Sequence, residues 1–335
     1  MLFVTFHGGK PTKDVPCPVN NVYAYDETVS VGSPPPYLNV LCVPASVELS
    51  ELRDLSFANG FLYVANGAKT TSNVLCFAKV PTSALPNENW FYVGAFASGG
   101  QGNGNVLAID HPFAVEFTAD GRSCFVSSQD TNVVTLMNVS TDGKTGSVQQ
   151  GAAAFWLNQF LNPSKNPGFL DGTFVASATA ALPPVPATPP VPTAQGGLSY
   201  STSTAEPAVS GKGGQGKIRH SVRDVVLCNG VLCVADEAAG GIRLYDPASG
   251  TYWGSSNAVG DATHLVAQGG QTLSLTAKIK LPDSGSGMTF DSAGNLYVAL
   301  RKKQQIYRYD SSRNGTLFVD NLPDQPEFVV YAANT

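Results

Sequence analysis

Charge is scarce in this sequence. Of 335 residues only 20 are Lys or Arg and 25 are Asp or Glu, about half the ~25% charged fraction of an ordinary soluble domain. With no Lys/Arg run and a net charge of -5, the chain lacks the basic footprint of a nucleic-acid binder or of a protein drawn to anionic membranes. No apolar stretch approaches the ~18 residues that span a bilayer, so no membrane insertion is expected. The segment Met1–Phe6 lacks the basic region and long apolar stretch of a signal peptide, although a mature chain with its signal removed reads the same way. The six cysteines form no C-x-x-C pair and are too few for a disulfide scaffold. In apolar contexts such as Val74-Leu75-Cys76-Phe77 they read as buried free thiols that behave as small hydrophobes. Cys228 and Cys233 flank an Asn-Gly turn, which sets them on a diagonal of a two-residue hairpin, so no bridge is expected there. His7, His111, His220 and His264 show no H-x-H or H-E-x-x-H spacing, and no G-x-S-x-G element exists, which leaves zinc hydrolases and α/β-hydrolases without support.

What is abundant is Gly (34), Pro (23) and an apolar fraction of 43%, enough for a core. Internal repetition organises them. Four segments repeat an apolar strand, a turn and a second apolar strand: 54–65, 114–127, 224–235 and 287–299. Asn59-Gly60, Asp120-Gly121 and Asn229-Gly230 supply the positive φ that tight hairpin turns require. A third strand is expected at 72–77, 132–136, 241–245 and 305–309, and a fourth at 90–93, 273–276 and 317–319. The starts are spaced by 60, 110 and 63 residues. The long interval therefore hides a divergent unit, marked by Asp171-Gly-Thr-Phe-Val-Ala-Ser177. At the ends, Glu327–Tyr331 matches a first strand and Leu2–Phe6 a second strand, so joining them completes a sixth unit.

The expected fold is all-β: a six-bladed β-propeller closed by strands from both termini, in which radial repetition protects the sheet edges. A β-sandwich would not explain complementary half-repeats at the two ends. The blades are bounded at 326–335 plus 1–50, 51–110, 111–165, 166–220, 221–284 and 285–325, all in one domain. Residues 182–196 of the fourth form a Pro-rich insertion, whose prolines bar it from a central strand. Gly211–Lys217 has the glycine spacing of a phosphate-binding loop, but Ile218 stands where a hydroxyl must ligate Mg²⁺, so no nucleotide site is expected.

His111-Pro-Phe-Ala-Val-Glu-Phe-Thr-Ala-Asp-Gly-Arg122 and Gly287–Ala299 resemble the NHL and YVTN-type repeats across most of the chain. The resemblance implies the propeller fold and, through the gluconolactonase and senescence-marker proteins that share it, a divalent metal in the central channel polarising a lactone carbonyl. Their Pro-Asp-Gly-x-x-x-Tyr-x-x-Asp-Ser ligand motif is not matched: Asp291–Leu300 lacks the terminal acid. Fold alone does not assign an activity.

First strands of propeller blades line the channel. Three positions before the aligned apolar residue of each first strand stand Asp54, Ala114, Asp224, Gly287 and Glu327. Asp54, Asp224 and Glu327 are thus the candidate ligands of a hard cation such as Ca²⁺, the one cofactor the sequence suggests. Arg53, Arg223 and His111 join them as candidate binding residues at the channel mouth, Arg53 and Arg223 each preceding one of the acids. No catalytic residue is assigned. The leading expectation is a non-catalytic recognition or assembly module that contacts a protein partner, copies of itself or a glycan, because a neutral Gly/Ser/Thr/Asn-rich surface is buried with little charge desolvation. Such a surface suits an extracellular or virion component. The rival is a metal-dependent lactonase or related hydrolase in the channel. Trp90, Trp156 and Trp253 fall at unlike positions in their repeats, which speaks against a lectin with one site per blade.

Overall fold

In a computed structural model, residues 1–13, 15–28, 36–68, 70–79, 89–98, 109, 111–128, 133–148, 155–157, 200–201, 222–228, 231–236, 241–245, 247, 252–257, 266–268, 271–273, 285–310 and 314–332 are described. They are all-β; no helix occurs among them. The divergent unit at 171–177, the Pro-rich insertion and the Gly211–Lys217 segment lie outside the described residues, as do His220 and His264.

Each of the four hairpins expected from the repeat forms: Leu52–Ala58 with Phe61–Asn66, Pro112–Phe117 with Ser123–Ser128, Val222–Cys228 with Val231–Asp236, and Gly285–Phe290 with Leu296–Leu300. A third antiparallel strand follows in every case, at Asn73–Lys79, Val133–Val139, Gly241–Tyr245 and Gln305–Tyr309. Trp90–Ser98 and Gly315–Val319 then complete their sheets. Cys228 faces Val231 and Cys233 faces Val226, so the two cysteines are not paired positions. The fourth strand of the 222–245 sheet is Tyr252–Asn257, not 273–276; Gln271–Leu273 pairs instead with Val266–Gln268 in a two-stranded sheet. Tyr-Trp-Gly-Ser-Ser-Asn carries three polar residues in a row and no regular apolar alternation, so it is quieter in the sequence than Leu-Ser-Leu-Thr.

The terminal strands Leu2–Phe6 and Pro326–Tyr331 pair antiparallel, with Phe3 opposite Val330 and Leu2 opposite Tyr331. Tyr23–Tyr25 adds a third strand to that sheet. The first strands of successive sheets lie side by side: 326–331 next to 52–58, 52–58 next to 112–117, 112–117 next to 222–228, and 285–290 next to 326–331. The 266–268 strand lies between 222–228 and 285–290.

The second strands Leu2–Phe6, Phe61–Asn66, Ser123–Ser128 and Leu296–Leu300 are buried on both sides, which is why they read as largely apolar runs. Along Leu2–Phe6, Leu2, Val4 and Phe6 enter one core with Tyr297 and Phe318, while Phe3 enters another with Leu52, Leu62 and Trp90. Tyr63 and Cys76 likewise point away from Leu62 and Leu75, into a core with Val115 and Val126. The two-residue side-chain period of a strand thus distributes one apolar run between two cores. Cys76 and Cys124 are buried free thiols, whereas Cys17 is exposed and Cys42 half-buried.

Candidate functional site

The aligned position that singles out Asp54 and Asp224 coincides with a recurrent irregularity of the backbone. The pairing register of every first strand breaks at the same place: between Leu52 and Leu55, Pro112 and Val115, Val222 and Val225, and Gly285 and Met288. A bulge of this kind takes backbone N–H groups out of the ladder, and buried N–H groups need another acceptor. Asp54 Oδ1 accepts from Leu55 N–H at 2.7 Å, and Asp224 Oδ1 from Val225 N–H at 2.8 Å. At Ala114, which has no acceptor of its own, the N–H is donated to Ser127 Oγ at 2.9 Å.

The same acids also join neighbouring sheets. Asp54 Oδ2 accepts from Val115 N–H at 3.1 Å on the next first strand, and Glu116 repeats the device one sheet further on, accepting from Leu227 N–H at 2.9 Å. Thr289 Oγ1 does so for Tyr331 N–H at 3.1 Å. The sequence offered a signal for Glu116, a lone acid inside the apolar run Phe-Ala-Val-Glu-Phe, but it falls two positions from the aligned column.

Burial pushes the Asp54 carboxyl up to about 7, against the pull of the two N–H groups it accepts from. Glu116 is pushed up to about 8, mainly by burial and further by the neighbouring Asp54 charge. Folding therefore raises both values, and the folded chain holds protons that the unfolded chain has released. The stability this pair contributes is complete below the ordinary carboxyl range and is lost as pH rises through about 7 and 8. Both side chains keep some wet surface, which moderates the effect. The melting temperature is expected to fall by several degrees between about pH 5 and pH 8.5, and to fall less in Asp54→Asn/Glu116→Gln, in which each amide keeps one acceptor oxygen without the charge and Asp54 gives up one of its two accepted bonds. Equal slopes in a thermal-melt series of the two proteins would remove this account.

Glu327 belongs to a different arrangement. First strands begin, and second strands end, at one end of the sheets, and the groups placed there meet around its carboxylate. Arg301 Nε lies 3.2 Å from Glu327 Oε2, His7 Nδ1 3.6 Å and Arg53 Nη1 3.7 Å. Arg53 Nη2 donates to Glu51 Oε2 at 3.1 Å, and His111 Nε2 lies 3.7 Å from the same oxygen. Glu327 is 2% exposed and Arg53 4%. Burial pulls the Arg53 guanidinium below the ordinary arginine range, against the opposing pull of Glu327 and Glu51. Glu51 and His111 both hold left-handed backbone, with φ of 52° each, immediately before their first strands.

Arg53 and Arg223 do not pair with the acids that follow them in sequence, because successive side chains of a strand point to opposite faces. They occupy equivalent positions in their sheets, as does Phe113 between them, and both guanidinium groups lie over the Phe113 ring, at 5.9 and 5.0 Å. Of the six residues expected at the mouth, Arg53, Arg223, His111 and Glu327 therefore share one polar cluster, while Asp54 and Asp224 serve the bulges. His7, Glu51 and Arg301 complete the cluster without having been marked by any motif. His7 and Arg301 are 294 residues apart in sequence. Among the described residues no group of three or more His, Cys, Asp or Glu side chains converges as a metal site.

Repeated antiparallel sheets, most of them of four or five strands among the described residues, with first strands side by side define the class of protein to which the chain is similar. No known family matches the sequence, and no curated protein does. Among solved structures, the Dos1 propeller is similar at 11% identity over 94% of this chain and 64% of its own, with a TM-score of 0.39. A putative 6-phosphogluconolactonase from Bacteroides uniformis shares 10% identity over 93% of this chain and 67% of its own, with a TM-score of 0.33. The WD40 repeats of RRP9 share 7% identity over 80% and 51%, with a TM-score of 0.31.

Proposed function

We propose that the chain is a six-bladed β-propeller of NHL/YVTN-like repeats, closed by its two terminal strands, and that it works as a non-catalytic recognition or assembly module for protein surfaces. The pairing of Phe3 with Val330 and the four matched hairpins support the closure and the blade repeat. The observation that carries the function is the outer strand Trp90–Ser98. Its nine residues, Trp-Phe-Tyr-Val-Gly-Ala-Phe-Ala-Ser, hold no charge. Phe91 and Val93 are 39% and 37% exposed and, two apart, lie on one face. The only strand added outside it among the described residues, Leu41–Cys42, reaches just Trp90 and Phe91. Outer strands that must stay single are ordinarily guarded by Lys, Pro or inward charges; this one is not. A surface so poor in charge suits an extracellular or virion component.

The hydrolase reading needs Asp54 and Asp224 as free ligands, and the bonds these two make to backbone N–H groups favour the binding module. Light scattering on the purified protein, with pull-down from its source, is the test. Self-association or a retained partner is expected, weakened at least tenfold by Phe91→Lys/Val93→Lys with no change in melting temperature. A strictly monomeric protein that retains nothing would end the proposal.

A further inference from the structure

His7 sits where three sheets meet. It follows the terminal strand Leu2–Phe6, and its N–H donates to Gln325 O at 2.8 Å, beside the paired strand Pro326–Tyr331. Arg301, just past the end of Leu296–Leu300, brings Nη2 to 2.8 Å from His7 Nδ1, and Arg53 of Leu52–Ala58 brings Nη1 to 3.2 Å. A guanidinium has no lone pair to offer, so both contacts require Nδ1 to be the acceptor. The imidazole is therefore neutral, with its proton on Nε2. Two carboxylates balance the two arginines: Glu327 Oε2, 3.2 Å from Arg301 Nε and 3.7 Å from Arg53 Nη1, and Glu51 Oε2, 3.1 Å from Arg53 Nη2. Glu327, turned towards two guanidinium groups, serves as their counter-ion and not as a cation ligand.

We infer that this junction is a pH-sensitive latch, in which neutral His7 ties the sheets that carry Arg301 and Arg53 to the terminal strands and its protonation releases them. The closed contact and the proton exclude one another. An imidazolium has donors on both nitrogens, so it loses the two bonds from the arginines and adds a positive charge to a balanced group. Glu327, 3.6 Å from His7 Nδ1, attracts that charge, but Arg301 and Arg53 already share its carboxylate. Arg53 is 4% exposed and cannot withdraw to water, and Arg223 adds to the repulsion it meets. The His7 side chain is 44% exposed, so the ring is the group that leaves, and the end of the terminal strand pair is then held less firmly. His111 Nε2 lies 3.7 Å from Glu51 Oε2, where a proton would strengthen the contact and so opposes the release.

The test is amide hydrogen exchange at His7 and Gly8 of the native protein, at about pH 7.5 and about pH 5.5, on either side of the ordinary imidazole range and corrected for the intrinsic pH dependence of exchange. A solvated imidazole takes its proton near pH 6.5, so opening at this end is expected to be about tenfold more frequent at the lower pH. His7→Gln keeps an acceptor oxygen and takes no proton, so its protection should be the same at both; the Gly8 N–H bond to Asp324 is common to the two proteins. His111→Gln should leave the response in place. Imidazole nitrogen shifts at the higher pH read the tautomer directly, whether or not a variant folds. Protection independent of pH, an equal change in His7→Gln, loss of the response in His111→Gln, or a proton on Nδ1 would each overturn the latch. Global melting is not the readout, because the Asp54 and Glu116 pair shifts stability with pH in the opposite direction.

Discussion

Glu327→Ala is expected to cost about 3–5 kcal/mol of folding stability, the usual result of removing one partner from a buried ion pair. Arg53, 4% exposed, would retain Glu51 and would lose the carboxylate that links it to Arg301 and His7. For a chain of this length the loss corresponds to a fall in melting temperature of roughly 5–15 °C. Glu327→Gln keeps the volume and removes the charge, so its effect should be smaller. Combining it with Arg53→Gln should cost less than the two single changes together, because the uncompensated guanidinium goes as well. Thermal and denaturant melts of the four proteins check this; strict additivity would mean that the pair is not coupled across the sheets.

Gly287→Ala is the second large effect. Gly287 stands at the aligned position occupied elsewhere by Asp54, Ala114 and Asp224, but here the neighbouring first strand comes closest. A Cβ at 287 would lie 2.6 Å from Val329 N and 2.7 Å from Glu327 O, backbone atoms that cannot rotate away. The two strands would have to separate, at about 3 kcal/mol or more, even though alanine restricts the unfolded chain in the favourable sense. Gly94→Ala is the control: nothing lies within 4 Å of its added methyl group, and stability should change by no more than about 0.5 kcal/mol. Comparable losses for the two variants in urea melts would show that close approach at 287 is not the cause.

Much of the fold is legible because hairpin chemistry is local. Asn59-Gly60 carries φ of 52° and 78°, the left-handed values its turn needs, and the apolar runs on either side pair as their spacing implies. The strand Tyr252–Asn257 escapes that reasoning because its residues show no regular apolar alternation. The candidate site was legible in part. The column of Asp54, Asp224 and Glu327 is real in the sequence, yet its members have different partners, since what an aligned residue touches depends on the neighbouring sheet as well as on its own.

By itself the sequence determined the strand repeat, the turn positions and the low-charge surface, each of which depends on residues within about a dozen positions of one another. Only the tertiary structure decided the use made of the polar residues. The bulges turn Asp54 and Asp224 into acceptors for backbone N–H groups, and the meeting of strand ends brings His7, Arg53, Arg301 and Glu327 within 4 Å. The contacts among these four side chains span 26 to 320 residues, and no local pattern specifies which far segment will arrive beside a charged side chain.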